Sequence, residues 1–379
     1  MSEAKLGTFP LQLEPMRVRR TYRGGSGLDR RHGAAAPQES ERPEEWLASM
    51  TQAVNPGFPP VENEGLSAAV LPGGRALLRD LVQQAPAAML GRLHVDKHGV
   101  QPGVLAKIID SAERLSIQVH PDQAFARAYF HSDYGKTECW HILDTRDVDG
   151  RPPYLLMGFR PGVTRKIWED VYHRQDIPAM LNCLHRVTPH PGETWLIRGG
   201  MPHAIGPGCT LVEIQEPTDY TLRSERTQAG GTPIPDALIH QGLGEQALME
   251  CFHYNSMTLE ALRESCRLAP HTARLAGGSR WRLLVGPEDT PCFAMERLEI
   301  ASPVRLPGAG RFSILTVLEG AGTLSWNLGT MPLERGTQIF LPAGVEHFTL
   351  DAFAQTPLIA VRCHPPGASP QAPGTKAVE

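Results

Sequence analysis

The sequence predicts a mainly β protein in which two strand-rich blocks, each a barrel or a sandwich, are separated by a short helical segment. Three observations carry that prediction. Glycine and proline, 37 and 34 of 379 residues, are spread through the chain rather than gathered in one tract; punctuation this dense suits short strands and turns better than long helices. Residues 103–223 and 273–362 read as successions of short apolar runs, and those at 312–320 and 337–344 end on glycine. Between them, residues 235–267 turn helical, with Leu259, Leu262 and Cys266 sharing a stripe. No short-period repeat is visible, so the duplication is one of whole blocks.

In chain order, residues up to about 110 mix strand-like pieces with a helical pattern over 74–88, where Leu77, Leu78, Leu81 and Val82 recur at helical spacing. Residues 23–45 are charged and rich in glycine, alanine and proline, the composition of an exposed insertion. The first strand block contains one helical stretch near 160–184. The expected division is a first block over 1–233, a helical connector over 234–270, a second block over 271–366 and a disordered tail over 367–379.

Composition bounds the function classes. Hydrophobic residues make up 41% and charged residues 21%, which excludes a wholly disordered chain. Lysine and arginine number 37 against 41 acidic residues, a formal net charge of −4. No long basic run occurs, which argues against a nucleic-acid or membrane-surface binder. A pocket can still concentrate positive potential for an anionic substrate. Seven cysteines without a C-x-x-C pair argue against a disulfide framework or a thiolate zinc knuckle. The first residues lack the apolar core of a secretory signal, and no apolar run approaches the ~20 residues that cross a bilayer. A reduced, cytoplasmic protein is the expectation; oligomeric state has no signature in the sequence.

Four segments carry the chemistry. In Leu115-Ser-Ile-Gln-Val-His-Pro-Asp122, strand alternation turns Ile117 and Val119 to one face and Ser116, Gln118 and His120 to the other. Three polar side chains on an enclosed face are costly unless they bind something. Gly135-Lys-Thr-Glu-Cys-Trp140 places Glu138 just behind a turn, and Gly192 to Gly206 runs a strand into a glycine-rich turn that presents His203. Two imidazoles, a carboxylate and an amide oxygen leave a divalent ion at net +1 with positions open for water or substrate, the mark of a catalytic site. Such ligands suit Zn²⁺, Fe²⁺, Mn²⁺, Co²⁺ or Ni²⁺ without choosing among them. In Thr210 to Arg223, alternation sets Glu213 and Gln215 opposite Val212 and Ile214. Glu213, facing inward, is a proton-transfer candidate, and Arg223 offers a planar fork for phosphate or carboxylate.

LSIQVHPD, GKTECW, GGMPHAIG and LVEIQEPTDYTLR, in this order and spacing, resemble the type I phosphomannose isomerases. Phe9-Pro-Leu-Gln-Leu-Glu-Pro15, Tyr22-Arg-Gly-Gly25 and Gly103 to Asp110 are similar to that family too, so the resemblance spans about residues 9–362. It implies two cupin (jelly-roll) barrels, the first holding one zinc ion on Gln118, His120, Glu138 and His203, the second metal-free. It implies interconversion of mannose 6-phosphate and fructose 6-phosphate through an enediol(ate). Ser116, Lys107 and Lys136 become substrate contacts, Arg223 lines the active site, and Glu213 or Lys136 does the acid–base work. A metal-bound water is a further candidate for the proton relay. The departures lie nearer the sugar: Tyr22 stands where the family has tryptophan, and Ser-Glu-Arg-Thr-Gln follows Arg223. Rival readings are an isomerase for another sugar or sugar phosphate, a non-catalytic sugar-binding cupin, and an iron cupin oxygenase.

Other motifs yield less. Gly135-Lys136-Thr137 lacks the earlier glycine of a phosphate loop, its position holding Phe130. His94 and His98 are spaced i, i+4 without the glutamate of a zinc-protease helix, and read as part of an exposed turn. Gly344-Val-Glu-His347 echoes the turn before His203, but no Gln-x-His precedes it.

Overall fold

Among the described residues, short strands punctuated by glycine build four antiparallel sheets of nine, seven, five and four strands. The computed structural model describes residues 6–55, 58–353 and 356–373. The seven-stranded sheet runs, in spatial order, Arg267–Leu268, Thr194–Ile197, Glu138–Thr145, Cys209–Gln215, Leu105–Asp110, Glu44–Leu47 and Met16–Val18. The five-stranded sheet runs Leu184–Val187, Leu155–Phe159, His203–Ile205, Gln118–Val119 and Leu222–Arg223. The two pack face to face through Trp140, Ile142, Trp195 and Leu211 from the first and Leu155, Met157 and Ile205 from the second.

Alternation gives each strand of the large sheet a second face. Ala106, Ile108, Cys139, Val212 and Ile214 point away from that core and pack against Met295, Ile314, Phe340 and Val361 of the nine-stranded sheet. That sheet in turn covers the four-stranded one through Leu298, Leu315, Leu324 and Leu350. Leu11–Leu13 pairs with Gln338–Leu341, so strands from the start of the chain extend the sheet built by its end. Residues 367–373 lie against this last unit, with Ala368 and Ala372 buried; from 374 onward the expected tail lies outside the described residues. No helix of the described residues is long and apolar enough to cross a membrane.

Helices Arg165–His173, Ile177–Asn182 and Glu245–Cys251 sheathe the outer face of the five-stranded sheet. Trp168, Tyr172, Met180 and Leu248 meet Ile117, Val119, Phe159 and Leu222 there. The first two begin at Thr164 and Asp176, whose side chains accept from Ile167 and Ala179 N–H, and Thr258 caps Leu259–Cys266 in the same way. The helical pattern over 74–88 begins instead with a strand, Gly74–Leu77, paired with Ala68–Leu71; helices Leu78–Gln84 and Pro86–Leu90 follow. Pro72 and Gly73, the latter at φ 90°, form a two-residue hairpin turn that the leucine spacing conceals. His94, expected on an exposed turn, is buried in helix Arg92–His98 with its Nε2 2.7 Å from the Gln101 carbonyl.

Residues 23–45 are exposed over much of 32–42, as expected, but both ends of the segment are anchored. The segment contains helix Ser26–Arg31, whose Gly25 and Gly27 N–H groups donate to the buried Asp110 carboxylate at 2.9 and 2.8 Å. The buried Glu45 carboxylate accepts from Gln338 at 2.8 Å and meets His32 at 2.6 Å. The charges that read as solvated are paired by partners far away in sequence.

One such pair anchors the strand that leads to His120. Arg114 grips Glu225 as a fork, Nη1 to Oε1 at 2.5 Å and Nη2 to Oε2 at 2.7 Å, and Ile117 N–H donates to the same carboxylate at 2.6 Å. Removing one partner of a buried pair leaves an uncompensated charge, so Glu225→Ala should cost about 3–5 kcal/mol. The urea midpoint checks this; a loss under ~1 kcal/mol, the worth of a surface pair, would show that the fork does not hold the strand.

Candidate metal centre and its cleft

Strand register assembles the site from two facing rows. Across the seven-stranded sheet, Trp46 lies opposite Lys107, Lys107 opposite Glu213, and Glu213 opposite Trp140. Two residues along from Trp140 on the same face is Glu138. Across the five-stranded sheet, His203 lies opposite Gln118, and Gln118 opposite Arg223. His120 follows at the strand end, where proline stops the ladder. The Gly200 N–H donates to the His120 carbonyl at 2.8 Å, tying the two histidine segments together. Gly200 has φ 82°, and a Cβ there would come within 2.4 Å of the His253 ring, so only glycine fits.

His120, Glu138 and His203 are all buried, and their ligand atoms lie within 4.8 Å of one another. His120 Nδ1 is 2.8 Å from the Tyr220 carbonyl, and His203 Nδ1 is 2.8 Å from the Met201 carbonyl. A carbonyl only accepts, so each Nδ1 carries the proton and each Nε2 turns a lone pair inward. Burial, then Lys136, pushes His120 down to about 3, and burial lowers His203 as well. Both imidazoles are therefore neutral near pH 7, the form that binds metal.

Glu138 meets them with one oxygen each, Oε2 3.2 Å from His120 Nε2 and Oε1 3.3 Å from His203 Nε2. Burial alone would raise its carboxyl; Lys136 and the imidazoles override that and hold it well below the usual range. Oε1 is buried and accepts no hydrogen bond, which is costly for a charged oxygen. Gln118 adds an amide whose Nε2 stands 3.3 Å from His203 Nε2. Two inward lone pairs and an unsatisfied carboxylate oxygen form a donor set that fits a divalent cation. Lys136 Nζ donates to His120 Nε2 at 2.7 Å and to Glu138 Oε2 at 2.6 Å, bringing a positive charge to the same donors.

The cleft beside this cluster is lined by Lys107, Ser116, Gln118, Lys136, Glu213 and Arg223. It offers about 40 Å³ of room for water and about 510 Å³ of empty space out to its mouth. Admitting a larger molecule therefore requires its side chains to shift. Glu213 lies 3.2 Å from Lys107 Nζ and accepts from Trp140 Nε1 at 3.0 Å. Burial and the neighbouring Glu138 raise its carboxyl, with Lys107 and Lys136 pulling the other way. Arg223 donates to the Leu238 carbonyl at 2.6 Å, and burial pushes it down to about 10. Among the described residues no carboxylate is in ion-pair contact with Arg223.

Three charged lining groups had no signal in the sequence. Arg20 stands over the Trp46 ring at 5.0 Å, 3.0 Å from Glu44 and 3.2 Å from Asp219. Glu44 also accepts from Tyr22 and Trp46, both at 2.8 Å, and is held down at about 2: burial opposes this, Arg20 and Lys107 prevail. The row Trp46–Lys107–Glu213 could have pointed to Glu44, had the strand Glu44–Leu47 been recognised beside Leu105–Asp110.

Comparison with known proteins agrees with this arrangement. Residues 62–138 match the phosphomannose isomerase type I catalytic domain, and residues 287–362 the mannose-6-phosphate isomerase cupin domain. Both matches are to the type I phosphomannose isomerases, which the chain resembles. It is 24% identical to a probable mannose-6-phosphate isomerase of Bacillus subtilis over 348 residues, covering 91% of this chain and 96% of the relative. The crystal structure of the mannose 6-phosphate isomerase from Bacillus subtilis shares the fold, with TM-score 0.71 at 22% identity over 94% of this chain and 99% of that one. So does a zinc-bound mannose 6-phosphate isomerase, with TM-score 0.69 at 16% identity over 94% and 99%.

Proposed function

We propose that the chain is a metal-dependent aldose–ketose isomerase that interconverts mannose 6-phosphate and fructose 6-phosphate. One observation carries the reading. Two buried neutral imidazoles, locked with Nε2 inward, share a carboxylate beside a cleft that holds both a cationic fork and a carboxyl of raised proton affinity. The family matches and the zinc-bound relative support Zn²⁺, one per chain, as the ion.

In this reading Gln118, His120, Glu138 and His203 hold the ion. It supplies Lewis-acid stabilisation of the negative charge that develops on the sugar's C1 and C2 oxygens. Glu213 takes the proton from C2 of the open-chain aldose and returns it to C1. A hydroxyl proton passes from O2 to O1 at the enediol(ate), so the C1 carbonyl becomes a hydroxyl as the C2 hydroxyl becomes a carbonyl. The raised proton affinity of Glu213 suits a group that must both accept and release near neutral pH. Lys136 and Lys107 offset the negative charge around that carboxylate. Arg223, short of a carboxylate partner, takes the substrate phosphate with Ser116 beside it, and that remote contact fixes the reacting carbons.

A coupled assay for fructose 6-phosphate formed from mannose 6-phosphate, run with and without chelator, tests the reading. Activity is expected with metal, lost on its removal and restored by Zn²⁺; full turnover in a verified metal-free chain would overturn it. Oxygen uptake would point to an oxygenase, and binding without turnover to a sugar-binding cupin. Arg223→Ala should weaken the phosphate contact, raising KM ~10- to 100-fold, the worth of a charge-assisted hydrogen bond. An unchanged KM would move phosphate recognition elsewhere in the cleft.

A further inference from the structure

The unit built by the end of the chain has its own cavity, far along the sequence from the metal ligands. It offers about 490 Å³ of room for water, a volume that suits a small ligand. Its floor is a buried charged cluster. Glu296 Oε1 lies 3.1 Å from His364 Nε2 and accepts from Arg362 Nη1 at 3.3 Å, while Oε2 accepts from Trp281 Nε1. Both oxygens of this carboxylate are committed. Arg362 also gives Nε–H to Ser313 Oγ at 2.8 Å and Nη2–H to the Pro307 carbonyl at 3.0 Å. Of the five N–H groups on this guanidinium, two have no partner among the described residues.

The walls add two more guanidiniums, Arg305 and Arg311. The Arg311 guanidinium donates to the Pro366 carbonyl at 3.4 Å, and neither arginine has a carboxylate in ion-pair contact among the described residues. Three arginines thus line the cavity with one carboxylate, and both oxygens of that carboxylate are already committed. Burial lowers the Arg362 proton affinity and Glu296 restores it only in part; His364 is lowered by burial and by Arg362 beside it. Residues 367–373 line one side of the cavity, Gln371 among them.

We propose that this cavity is a second ligand site, separate from the metal centre, that takes a dianionic oxyanion, either free phosphate or the phosphate group of a small ester, on Arg305, Arg311 and Arg362. Planar guanidinium forks match tetrahedral oxyanions, and an anion would bring the cavity's charge close to balance. The site needs no metal and no turnover, so it stands or falls independently of the isomerase reading.

Equilibrium dialysis of the full chain with labelled inorganic phosphate, and separately with methyl phosphate, tests this. The wild type should bind one equivalent that survives Arg223→Ala. In an R305A/R311A double variant that equivalent should weaken at least ~10-fold, as loss of charge-assisted hydrogen bonds requires, with isomerase turnover unchanged. Arg305 is exposed, so R305A alone keeps the test readable if the double variant folds poorly. Binding of phosphate but not methyl phosphate would restrict the site to the free anion; equal binding would admit esters. The proposal fails if the arginine variants bind as the wild type does, or if all phosphate binding disappears with Arg223→Ala.

Discussion

His203→Ala should yield a folded chain that retains no stoichiometric metal and turns over mannose 6-phosphate on the order of 10³-fold more slowly or worse, since the electrophile that stabilises developing charge is lost. The size of the effect follows from burial. His203 is fully enclosed, its Nδ1 spent on the Met201 carbonyl and its Nε2 facing Glu138 Oε1 at 3.3 Å. Alanine removes a ligand, and among the described residues His120 alone is left to supply an imidazole to the site. His203→Gln, nearer in volume, separates loss of ligation from loss of packing; it should keep the melting transition of the metal-free wild type while still losing the ion. Metal analysis and the coupled assay read both. A His203→Ala protein with full zinc and full rate would end the metal-centre assignment.

Glu213→Gln is the second large expected effect, ~10² to 10⁴-fold in kcat, the usual worth of a positioned general base. Glutamine has the same shape and its carbonyl can still accept from Trp140, so the loss would report proton transfer rather than packing. The pH profile gives an independent sign. The base must be ionised to take a proton, and burial with Glu138 nearby raises its carboxyl above the ordinary value. Wild-type kcat/KM should therefore fall as pH drops through a value above the ordinary glutamate range, and this limb should vanish from the residual activity of the variant. Near-normal kcat in Glu213→Gln would pass the role to Lys136, for which Lys136→Met is the matching test.

The inward and outward faces of the site strands were legible because alternation is local. Ile117 and Val119 pack under the helices while Ser116 and Gln118 line the cleft, and Val212 and Ile214 pack on the neighbouring sheet while Glu213 faces inward. The mainly β class and the helical stretches near 160–184 and 235–267 were legible for the same reason. What depended on distant pairing was not. Arg20, Glu44 and Asp219 meet only because three separate segments converge. Residues 23–45 looked solvated because Asp110 and Gln338, which satisfy them, lie elsewhere in the sequence. The Ser-Glu-Arg-Thr-Gln departure after Arg223 gave no hint that its glutamate clamps Arg114.

Cys139 and Val212, one step along their strands from Glu138 and Glu213, rest on Met295, Phe340 and Val361. The wall that carries the reactive side chains is thus at once the floor of another chamber, and its flatness depends on what fills the room below. Excising the first 233 residues as an independent fragment would strip that wall bare and leave an oily plane seeking a substitute cover. The two halves are lodgers on opposite sides of one partition, and neither can be renovated without disturbing the other.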